Sequence, residues 1–556
     1  MIRSFAASAL AAAVLLLASA GTSPAGDAIV GNCSNDTELR NTIAAVQGEG
    51  GGNITFSCQP STIPVTSPFP VPGHLSIDGE NKIILSGGNS SRLFDVGGGG
   101  VLTLKAVILT KGSSASDGGA ISNQGSLFLQ HVKIQDSVSG GSGGAIVTYG
   151  TTIITDSEFA NNKAINGGAI YPRFPGAQVS IENSNIHHNQ ATGAVSSWGG
   201  AILIWDGASV AVSNSSFHDN TARTGGAVHN MFANSSFSAQ SSTFESNSAT
   251  GDDGGAIYAI GPLTITDSTF SLNSTYHHGG GIEYRGQATS KIARSLFVQN
   301  HAEDSGGAID VYQATGLTIS NSTLTDNSAR LGGAFANSYS YATLVNVTIA
   351  FNSSSLGPSG LQMGSFNFED TTLQNTIVGS STGGPNCTAT AKLSSADGNL
   401  VDDDSCAPSL NKLHDLNGAA YAPIFSTLGD HGGPTLTRVP GPGSPAVDAG
   451  VTNSLTEDQR GFVRPRGDAT DIGAVEVAPC PGGSALCGDA NGSGDLTAGD
   501  ALLALRAAVG ASSCALYLCD FNASGDLTAS DALLILRKSV GQLVTPSCPA
   551  KWDCHS

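Results

Sequence analysis

Gly118-Gly119-Ala120-Ile121 is the first of nine closely similar tetrapeptides in the middle of the chain. The other eight begin at Gly143, Gly167, Gly199, Gly225, Gly254, Gly279, Gly306 and Gly332. Successive first glycines lie 25, 24, 32, 26, 29, 25, 27 and 26 residues apart. A repeat of this length predicts a solenoid, in which each repeat forms one coil and stacks on its neighbours.

A second motif recurs between the tetrapeptides, an apolar residue followed three positions later by asparagine. Its eight copies are Phe159/Asn162, Ile186/Asn189, Phe217/Asn220, Phe244/Asn247, Phe270/Asn273, Phe297/Asn300, Leu324/Asn327 and Ile349/Asn352. The segments around both motifs alternate Val, Ile and Phe with Ser and Thr, as in Gln178–Ile181. Alternation of this kind is typical of short strands and not of helices.

The repeats therefore predict β-coils stacked along one axis. Stacked strands lie ~4.8 Å apart, so nine coils would span on the order of 40 Å. Paired glycines allow a positive φ or a close approach of backbones at a corner. The asparagine column can take left-handed turns, and its amides can hydrogen-bond along the stack. We expect the fourth residue of each tetrapeptide to point inward.

The Gly-Gly-Ala-Ile and Phe-x-x-Asn repeats resemble those of polymorphic outer membrane proteins and related right-handed parallel β-helix proteins. The resemblance covers roughly residues 100–380. It implies an all-β right-handed parallel β-helix for residues 61–385. That fold carries both adhesins and polysaccharide-cleaving enzymes, so the resemblance implies an architecture and leaves the activity open.

The composition restricts the partners. The 556 residues carry a formal net charge of −20, and only 12% of them are charged. An acidic chain of this kind argues against nucleic acid as a partner. It suits calcium, or a neutral or cationic surface.

Residues 1–26 have the pattern of a secretory signal peptide. Arg3 supplies the basic region, Ala6–Ala18 is the apolar core, and small residues follow it. The core is too short for a membrane span, and no later stretch is long enough. We expect a protein that is secreted or held at the cell surface, without a membrane span.

Ten cysteines in an exported chain predict disulfides. Their grouping favours Cys33–Cys58 and Cys387–Cys406. The other six allow 15 connectivities, and the sequence does not choose among them. They are Cys480, Cys487, Cys514, Cys519, Cys548 and Cys554.

Both ends of the solenoid are predicted to be capped, because an open end exposes unpaired strand edges. In residues 27–60, Leu39, Ile43 and Val46 form one helical stripe. This segment resembles the CSLREA module of secreted β-helix proteins. Residues 386–477 form the predicted C-terminal cap.

Several motifs of residues 386–477 resemble, in their order, the choice-of-anchor Q domain of exported β-helix proteins. They include Gly443-Ser444-Pro445-Ala446, Asp458-Gln459-Arg460-Gly461 and Asp471-Ile472-Gly473. The Asp and Arg residues could form a catalytic cluster. We favour the alternative, that they are ion pairs holding the cap together.

Residues 478–556 contain two acidic loops, 489–500 and 520–531, each leading into a helix-like segment. Their spacing is that of an EF-hand loop, with oxygen ligands at positions 1, 3, 5, 7, 9 and 12. Two Ca²⁺ sites are therefore predicted, with position 7 ligating through its backbone carbonyl. The ligands are Asp489, Asn491, Ser493, Asp495, Thr497 and Asp500 in the first loop, and Asp520, Asn522, Ser524, Asp526, Thr528 and Asp531 in the second.

Aspartate at position 12, one helix per loop and the tandem duplication resemble type I dockerin. That resemblance implies a dockerin-like domain over residues 478–556 that docks onto a cohesin module of a scaffold protein. Positions 10 and 11, where dockerins vary with their cohesin, leave the partner open. Removal of calcium is expected to unfold residues 487–543 and to spare the solenoid.

Candidate site residues on the solenoid form columns beside the tetrapeptides. The residues directly after them are Tyr171, Leu203, His229, Tyr258, Glu283 and Asp310, and two positions further on come Arg173, Trp205, Met231, Ile260, Arg285 and Tyr312. By strand alternation, both rows should face outward. Including the residues before the glycines, the catalytic candidates are Asp252, Asp253, Glu283, Asp304 and Asp310.

Aromatic residues beside acids and arginine can bind sugar, and paired carboxylates can cleave glycosidic bonds. We predict a calcium-binding, exported β-helix protein that acts as a surface- or complex-attached binding module, with carbohydrate as the favoured ligand. One alternative is a polysaccharide lyase or glycoside hydrolase targeted by its dockerin. A structural adhesin is another, and the sequence leaves open whether the protein is an enzyme.

Overall fold

The computed structural model describes residues 26–364, 370–388, 392–441, 444–477, 487–490, 496–511, 514, 519–522 and 527–544. Its main body is a parallel β-helix. The described strands form three sheets of 26, 12 and 10 strands, named sheets A, B and C, and neighbouring coils pair in parallel throughout. The all-β parallel solenoid predicted from the repeats is confirmed.

Sheet A contributes two strands to most coils. Its strands are Ala28–Val30, Gly52–Phe56, Ser61–Pro64, His74–Ser86, Val101–Thr110, Ser126–Gln130, Lys133–Gln135, Thr151–Thr155, Glu158–Ala160, Gln178–Glu182, Asn185–His187, Ser209–Ser213, Ser216–His218, Ser236–Gln240, Thr243–Glu245, Leu263–Thr266, Thr269–Ser271, Ser290–Ala293, Leu296–Val298, Leu317–Thr325, Tyr341–Ala350, Asp370–Gln374, Ile377–Gly379, Leu393–Ser395, Leu400–Val401 and Leu416–Asn417.

Sheets B and C contribute one short strand each. Sheet B contains Phe69–Val71, Phe94–Val96, Ile121–Asn123, Ile146–Thr148, Ile170–Pro172, Ile202–Ile204, Val228–Asn230, Ile257–Ala259, Ile282–Tyr284, Ile309–Tyr312, Phe335–Ser338 and Leu361–Met363. Sheet C contains Ser113–Ser114, Val138–Ser139, Lys163–Ala164, Gln190–Ala191, Thr221–Ala222, Ser248–Ala249, Ser274–Thr275, His301–Ser305, Ser328–Leu331 and Ser353–Ser354.

The paired glycines form the corner that leads into sheet B. All nine first glycines have a positive φ, for example 65° at Gly225, a conformation that favours glycine. The second glycine is needed for a different reason. A Cβ on Gly226 would lie 2.1 Å from the carbonyl oxygen of Gly255 in the next coil. Both predicted uses of glycine are therefore present, one at each position of the pair.

The interior repeats the same contacts from coil to coil. The fourth residue of every tetrapeptide is buried, as predicted. The rings of Phe217, Phe244, Phe270 and Phe297 stack with centroids 5.1, 4.7 and 4.7 Å apart. Stacked aromatic rings at this separation contribute packing beyond the burial of apolar area.

An asparagine ladder runs beside the phenylalanine stack. The Nδ2 atom of Asn220 donates to Oδ1 of Asn247 at 3.0 Å, and its backbone N–H donates to the same oxygen at 3.1 Å. The pattern repeats from Asn162 to Asn352. The left-handed conformation falls one position earlier, at residues such as Asp219 with φ 54°. The asparagine side chain points inward to reach its neighbours, so the turn falls on the residue before it.

The N-terminal segment covers the first coils with a helix, α1 (Thr37–Gly48), whose Leu39, Ile43 and Val46 are buried as the stripe predicts. A disulfide joins Cys33 to Cys58, as expected from their grouping. The flanking strands Ala28–Val30 and Gly52–Phe56 already belong to sheet A. The first pairings of the solenoid therefore lie within residues 27–60.

Beyond residue 385, three short strands continue sheet A as far as Asn417, and the predicted disulfide Cys387–Cys406 is present. A single 3₁₀ turn, Ala419–Tyr421, follows. The chain then packs along the side of the last coils. The side chain of Thr323 donates to Gln459 at 2.6 Å, and Ala474 N–H donates to Thr348 Oγ1 at 3.0 Å.

Buried ion pairs hold this C-terminal segment together. Asp458 and Arg460 pair at 2.9 Å with both side chains fully buried, and Arg464 pairs with Glu476. The carboxylate of Asp458 also accepts hydrogen bonds from the backbone of Arg460, Phe462 and Glu476. These groups are paired with one another and with backbone N–H groups of the same segment, which supports the structural interpretation over the catalytic one.

The last described residues contain two helices, α2 (Ala498–Ala508) and α3 (Ala529–Ser539). They share a small core that includes Ala504, Phe521 and Ile535. Cys514 and Cys519 form a disulfide, which the sequence could not select. Among the described residues, no helix combines the length and the apolar character that a membrane crossing requires.

Candidate ligand-binding face

One side of the solenoid differs from the rest. The residues that directly follow the tetrapeptides form a line across sheet B, which we call the outer row. Its members are Val147, Tyr171, Leu203, His229, Tyr258, Glu283 and Asp310. As predicted, they point away from the core, but six of the seven are buried. They are buried because side chains from the neighbouring rows and loops pack over them.

The first half of the outer row is apolar and aromatic. Val147, Tyr171 and Leu203 form a cluster separate from the main core. Four partly exposed side chains cover it, which we call the aromatic segment: Tyr149, Trp198, Trp205 and Met231. Trp205 lies edge-on to Tyr171 with ring centroids 6.2 Å apart. The result is an outward-facing surface of large rings, of the kind that binds apolar ligand faces.

The second half is charged and centres on Arg285. Its Nε donates to Glu283 Oε1 and its Nη2 donates to Asp253 Oδ2, both at 2.7 Å. The rings of Tyr258 and Tyr312 flank the guanidinium at 5.5 and 4.8 Å. Two carboxylates and two aromatic rings therefore fix the orientation of one cation. We call this group, with Asp310, the arginine cluster.

Asp310 is held from the other side. Ser305 Oγ donates to Asp310 Oδ2, and the Nδ1 atom of His278 lies 2.8 Å from the same hydroxyl oxygen. Nδ1 of His278 is 3.9 Å from Asp310 Oδ2. His278 and Arg285 are more exposed than the three acids, with 38% and 29% of their side-chain surface accessible. A ligand on this face would meet these two side chains before it met the acids.

Burial shapes the electrostatics of the cluster. It raises the pKa of Glu283 well above its usual range, and the nearby charge of Asp310 adds to the effect. Burial likewise raises the pKa of Asp310. One oxygen of Glu283, Oε2, is buried without a hydrogen-bond partner among the described residues. These features favour a protonated Glu283.

His229 marks the boundary between the two halves. Its ring lies 4.6 Å from that of Tyr258 and 5.9 Å from that of Trp198. Neither ring nitrogen has a hydrogen-bond partner within the described part of the chain. Burial lowers the pKa of His229 to about 3, so its imidazole is neutral at physiological pH. Burial also raises the pKa of Tyr258 to about 12.

The structure divides the five catalytic candidates into two groups. Asp253, Glu283 and Asp310 meet in the arginine cluster. Asp252 instead pairs with Arg223 at 2.8 Å, and Asp304 pairs with Arg330 at 3.1 Å, both at the exposed edge of the face. Exposed pairs of this kind contribute little to stability and are screened by salt.

Two members of the aromatic segment were missed from the sequence. Trp198 directly precedes the glycine pair at Gly199, in the longest of the repeats, and Tyr149 lies two positions beyond the strand residue Val147. Their signal was present, because both occupy the columns that the other repeats fill with charged or aromatic residues.

Seven of the twelve predicted calcium ligands lie within the described residues. Asp489, Asp500, Asp520 and Asp531 are buried. Thr497 caps helix α2, and its N–H and Oγ1 donate to Asp500 Oδ2 at 2.8 and 2.6 Å. The other described ligands are Asn522 and Thr528, and Asn491, Ser493, Asp495, Ser524 and Asp526 lie outside the described residues.

Comparison with known proteins supports the fold. Residues 106–297 match the family model described as a right-handed β-helix region, which agrees with the parallel solenoid. The search of curated proteins gives no match. Among solved structures, a variant of an alginate lyase of polysaccharide lyase family 6 aligns over 83% of this chain, with 13% identity and a TM-score of 0.41. The alignment spans 60% of that lyase chain.

Proposed function

We propose that the protein binds a polysaccharide along the outer face of sheet B. The observation that carries the proposal is the continuity of the face. The aromatic segment leads directly into the arginine cluster along one row of paired strands. A sugar ring presents an apolar face that stacks on aromatic rings and hydroxyls that bond charged groups, so this surface matches both of its properties.

The charge balance favours a neutral polysaccharide. The charge of Arg285 is already balanced by Asp253, and its Nε is hydrogen-bonded to Glu283, so it offers hydrogen bonds with little net positive charge. The formal net charge of −20 on the whole chain repels polyanions at long range. A neutral glucan, mannan or xylan therefore fits better than a polyuronate.

The binding test uses the purified mature chain with calcium and a panel of neutral and acidic polysaccharides. Trp205→Ala is expected to weaken binding of the best neutral ligand roughly tenfold, the equivalent of about 1.4 kcal/mol. Tyr341→Ala is the matched control, because Tyr341 is an exposed aromatic residue on sheet A. Equal affinity of the wild type and Trp205→Ala would contradict the proposal.

A second candidate function is cleavage of the bound polysaccharide. It rests on Glu283, whose raised pKa and unpartnered Oε2 suit a carboxyl group that donates a proton. The same reactions should be assayed for new reducing ends and for unsaturated ends. Products that disappear in Glu283→Gln, while binding persists, would make the protein an enzyme. Binding without products would leave a binding module.

We propose in addition that the two acidic loops bind Ca²⁺, as their resemblance to dockerin implies. The support is the burial of Asp489, Asp500, Asp520 and Asp531, because a nearby positive charge stabilises buried carboxylates. Calcium would supply that charge and hold helices α2 and α3 together. A cohesin-like scaffold protein is then the proposed partner, and export to the cell surface or beyond is the proposed location.

The calcium proposal is tested by limited proteolysis of the full chain. With a calcium chelator, cleavage is expected to begin between residues 487 and 543 while the solenoid stays intact. Asp500→Asn should show the same cleavage without a chelator, and Asp430→Asn, at an exposed position outside the loops, should not. Protection that is unchanged by the chelator would overturn the proposal.

A further inference from the structure

Three histidines come together on the outer side of sheet A, whereas the outer row lies on sheet B. His187 ends the strand Asn185–His187, and His218 ends the strand Ser216–His218, directly opposite it in register. Their rings stack in parallel, 4.7 Å apart. His188 follows His187 in the left-handed conformation, with φ 53°. One imidazole nitrogen from each of the three lies within 4.8 Å of the other two.

Two carboxylates orient these rings. Nε2 of His187 lies 3.1 Å from Glu158 Oε1, and Nδ1 of His218 lies 2.8 Å from Asp219 Oδ2. A carboxylate that accepts from one nitrogen of an imidazole fixes the tautomer and leaves the other nitrogen with a free lone pair. This arrangement is the one that supports histidine ligands around metal ions.

The remaining nitrogens face one another. Nδ1 of His187 lies 2.9 Å from Nδ1 of His188, which is hydrogen-bonding distance between two atoms that can both act as metal ligands. Lys133 Nζ pairs with the same carboxylate oxygen, Glu158 Oε1, at 2.8 Å. The charge of Lys133 therefore balances that of Glu158, which still accepts from His187 through the shared oxygen.

We propose that His187, His188 and His218 bind a transition-metal ion, with Zn²⁺ as the reference case. Tetrahedral zinc with ligand distances of about 2.0–2.1 Å requires nitrogens about 3.3 Å apart. The two Nδ1 atoms at 2.9 Å must therefore move slightly apart, and the nitrogen of His218 must come closer to them. His188 has room for this adjustment, since 55% of its side chain is exposed. Three protein ligands leave the fourth position open to water or to a ligand from another molecule.

The surrounding coils explain why the cluster occurs only here along this column. The pairing partners of His187 and His218 in the adjacent coils are Ala160 and Glu245. The first has no ligand atom, and the second is a carboxylate one rung beyond His218. Within the described residues, the histidine group is therefore confined to two neighbouring coils.

Zinc titration of the full mature chain tests the proposal, with excess Ca²⁺ present to saturate the acidic loops. The wild type is expected to bind one Zn²⁺ ion. In His218→Ala, the affinity for that ion should be at least tenfold lower. His188→Asn should weaken binding similarly, and asparagine tolerates the left-handed conformation at that position. His301→Ala is the matched control, because His301 is an exposed solenoid histidine that contacts Ser328.

Thermal unfolding without zinc distinguishes ligation from folding. The variants should melt with the wild type when zinc is absent, and only the wild type and His301→Ala should gain stability when it is added. Zinc uptake that is equal in the wild type and His218→Ala would overturn the proposal. Equal loss in His301→Ala would do the same, since it would show nonspecific binding by surface histidines.

Discussion

The inward and outward sides of the same coils follow different rules. Inside, phenylalanine stacks on phenylalanine and asparagine bonds to asparagine over many rungs. Outside, the outer row changes from tyrosine to leucine, histidine, tyrosine, glutamate and aspartate over consecutive strands. An interior column must fit the same space at every rung, whereas an outward position must only permit strand pairing. Repetition therefore specifies the architecture, and departures from it indicate the site.

Phe244→Ala breaks the inward side at its centre and is expected to have the largest effect. Phe244 is fully buried and lies between two stacked rings. Truncation should lower the free energy of unfolding by about 3–5 kcal/mol, because it opens a cavity in a packed stack. Urea unfolding followed by circular dichroism measures the change. Val195→Ala, at a position 89% exposed, should change it by less than about 0.5 kcal/mol.

Asn247→Ala removes one rung of the asparagine ladder. It tests how much the hydrogen bonds of that rung contribute to the free energy of unfolding. The backbone N–H and Nδ2 of Asn220 would lose their acceptor, and the carbonyl of Phe217 would lose its donor. Leaving buried groups unsatisfied should lower stability by about 1–3 kcal/mol. The same unfolding experiment applies. A loss as large as that of Phe244→Ala would show that the two columns are not energetically distinct.

Glu283→Gln sharpens the outward side through the pH dependence of stability. The folded pKa of Glu283 is raised above its usual value of 4.5, so the folded state holds a proton that the unfolded state releases. Stability from this group is fully present below pH 4.5 and is lost as the pH rises through the folded pKa. Glutamine stays neutral, so the variant should gain stability relative to the wild type as the pH rises above 4.5. The gain is expected to be roughly 1.4 kcal/mol for each pH unit until the folded pKa is reached.

Melting temperatures measured between pH 4 and pH 8 provide the test of this last effect. Glu303→Gln is the control, since Glu303 is an exposed residue near the same face. If the melting temperatures of the wild type and Glu283→Gln change with pH in the same way, the pKa of Glu283 is not raised in the folded state.

Much of the solenoid was predictable because its signals repeat. The glycine pairs, the inward fourth residue and the asparagine ladder each occur in many copies, and every copy reports the same geometry. The burial of the outer row was not predictable in this way. It depends on Trp198, which belongs to the single 32-residue repeat, and on side chains two positions along from the outer row.

The arginine cluster was predicted only in part, for a local reason. Asp252 and Asp253 are adjacent, so their side chains diverge, and only Asp253 reaches Arg285. The alignment of the repeats places residues on neighbouring coils, but it does not show which of two adjacent aspartates points toward Arg285. Tertiary contacts between rungs decide that choice. The disulfide between Cys514 and Cys519 could not be predicted for the same reason, because the pairing of cysteines also depends on tertiary contacts.

The asparagine ladder has a direction, because from Asn162 to Asn327 each Nδ2 donates to the Oδ1 of the asparagine in the following coil. Each coil of the ladder thus makes the same asparagine hydrogen bonds to its two neighbours, whatever its outer residues are. Whole coils can be duplicated or deleted by recombination without creating an unmatched junction. The length of the outer face is then set by the number of coils, and each added coil lengthens the protein by one interstrand spacing.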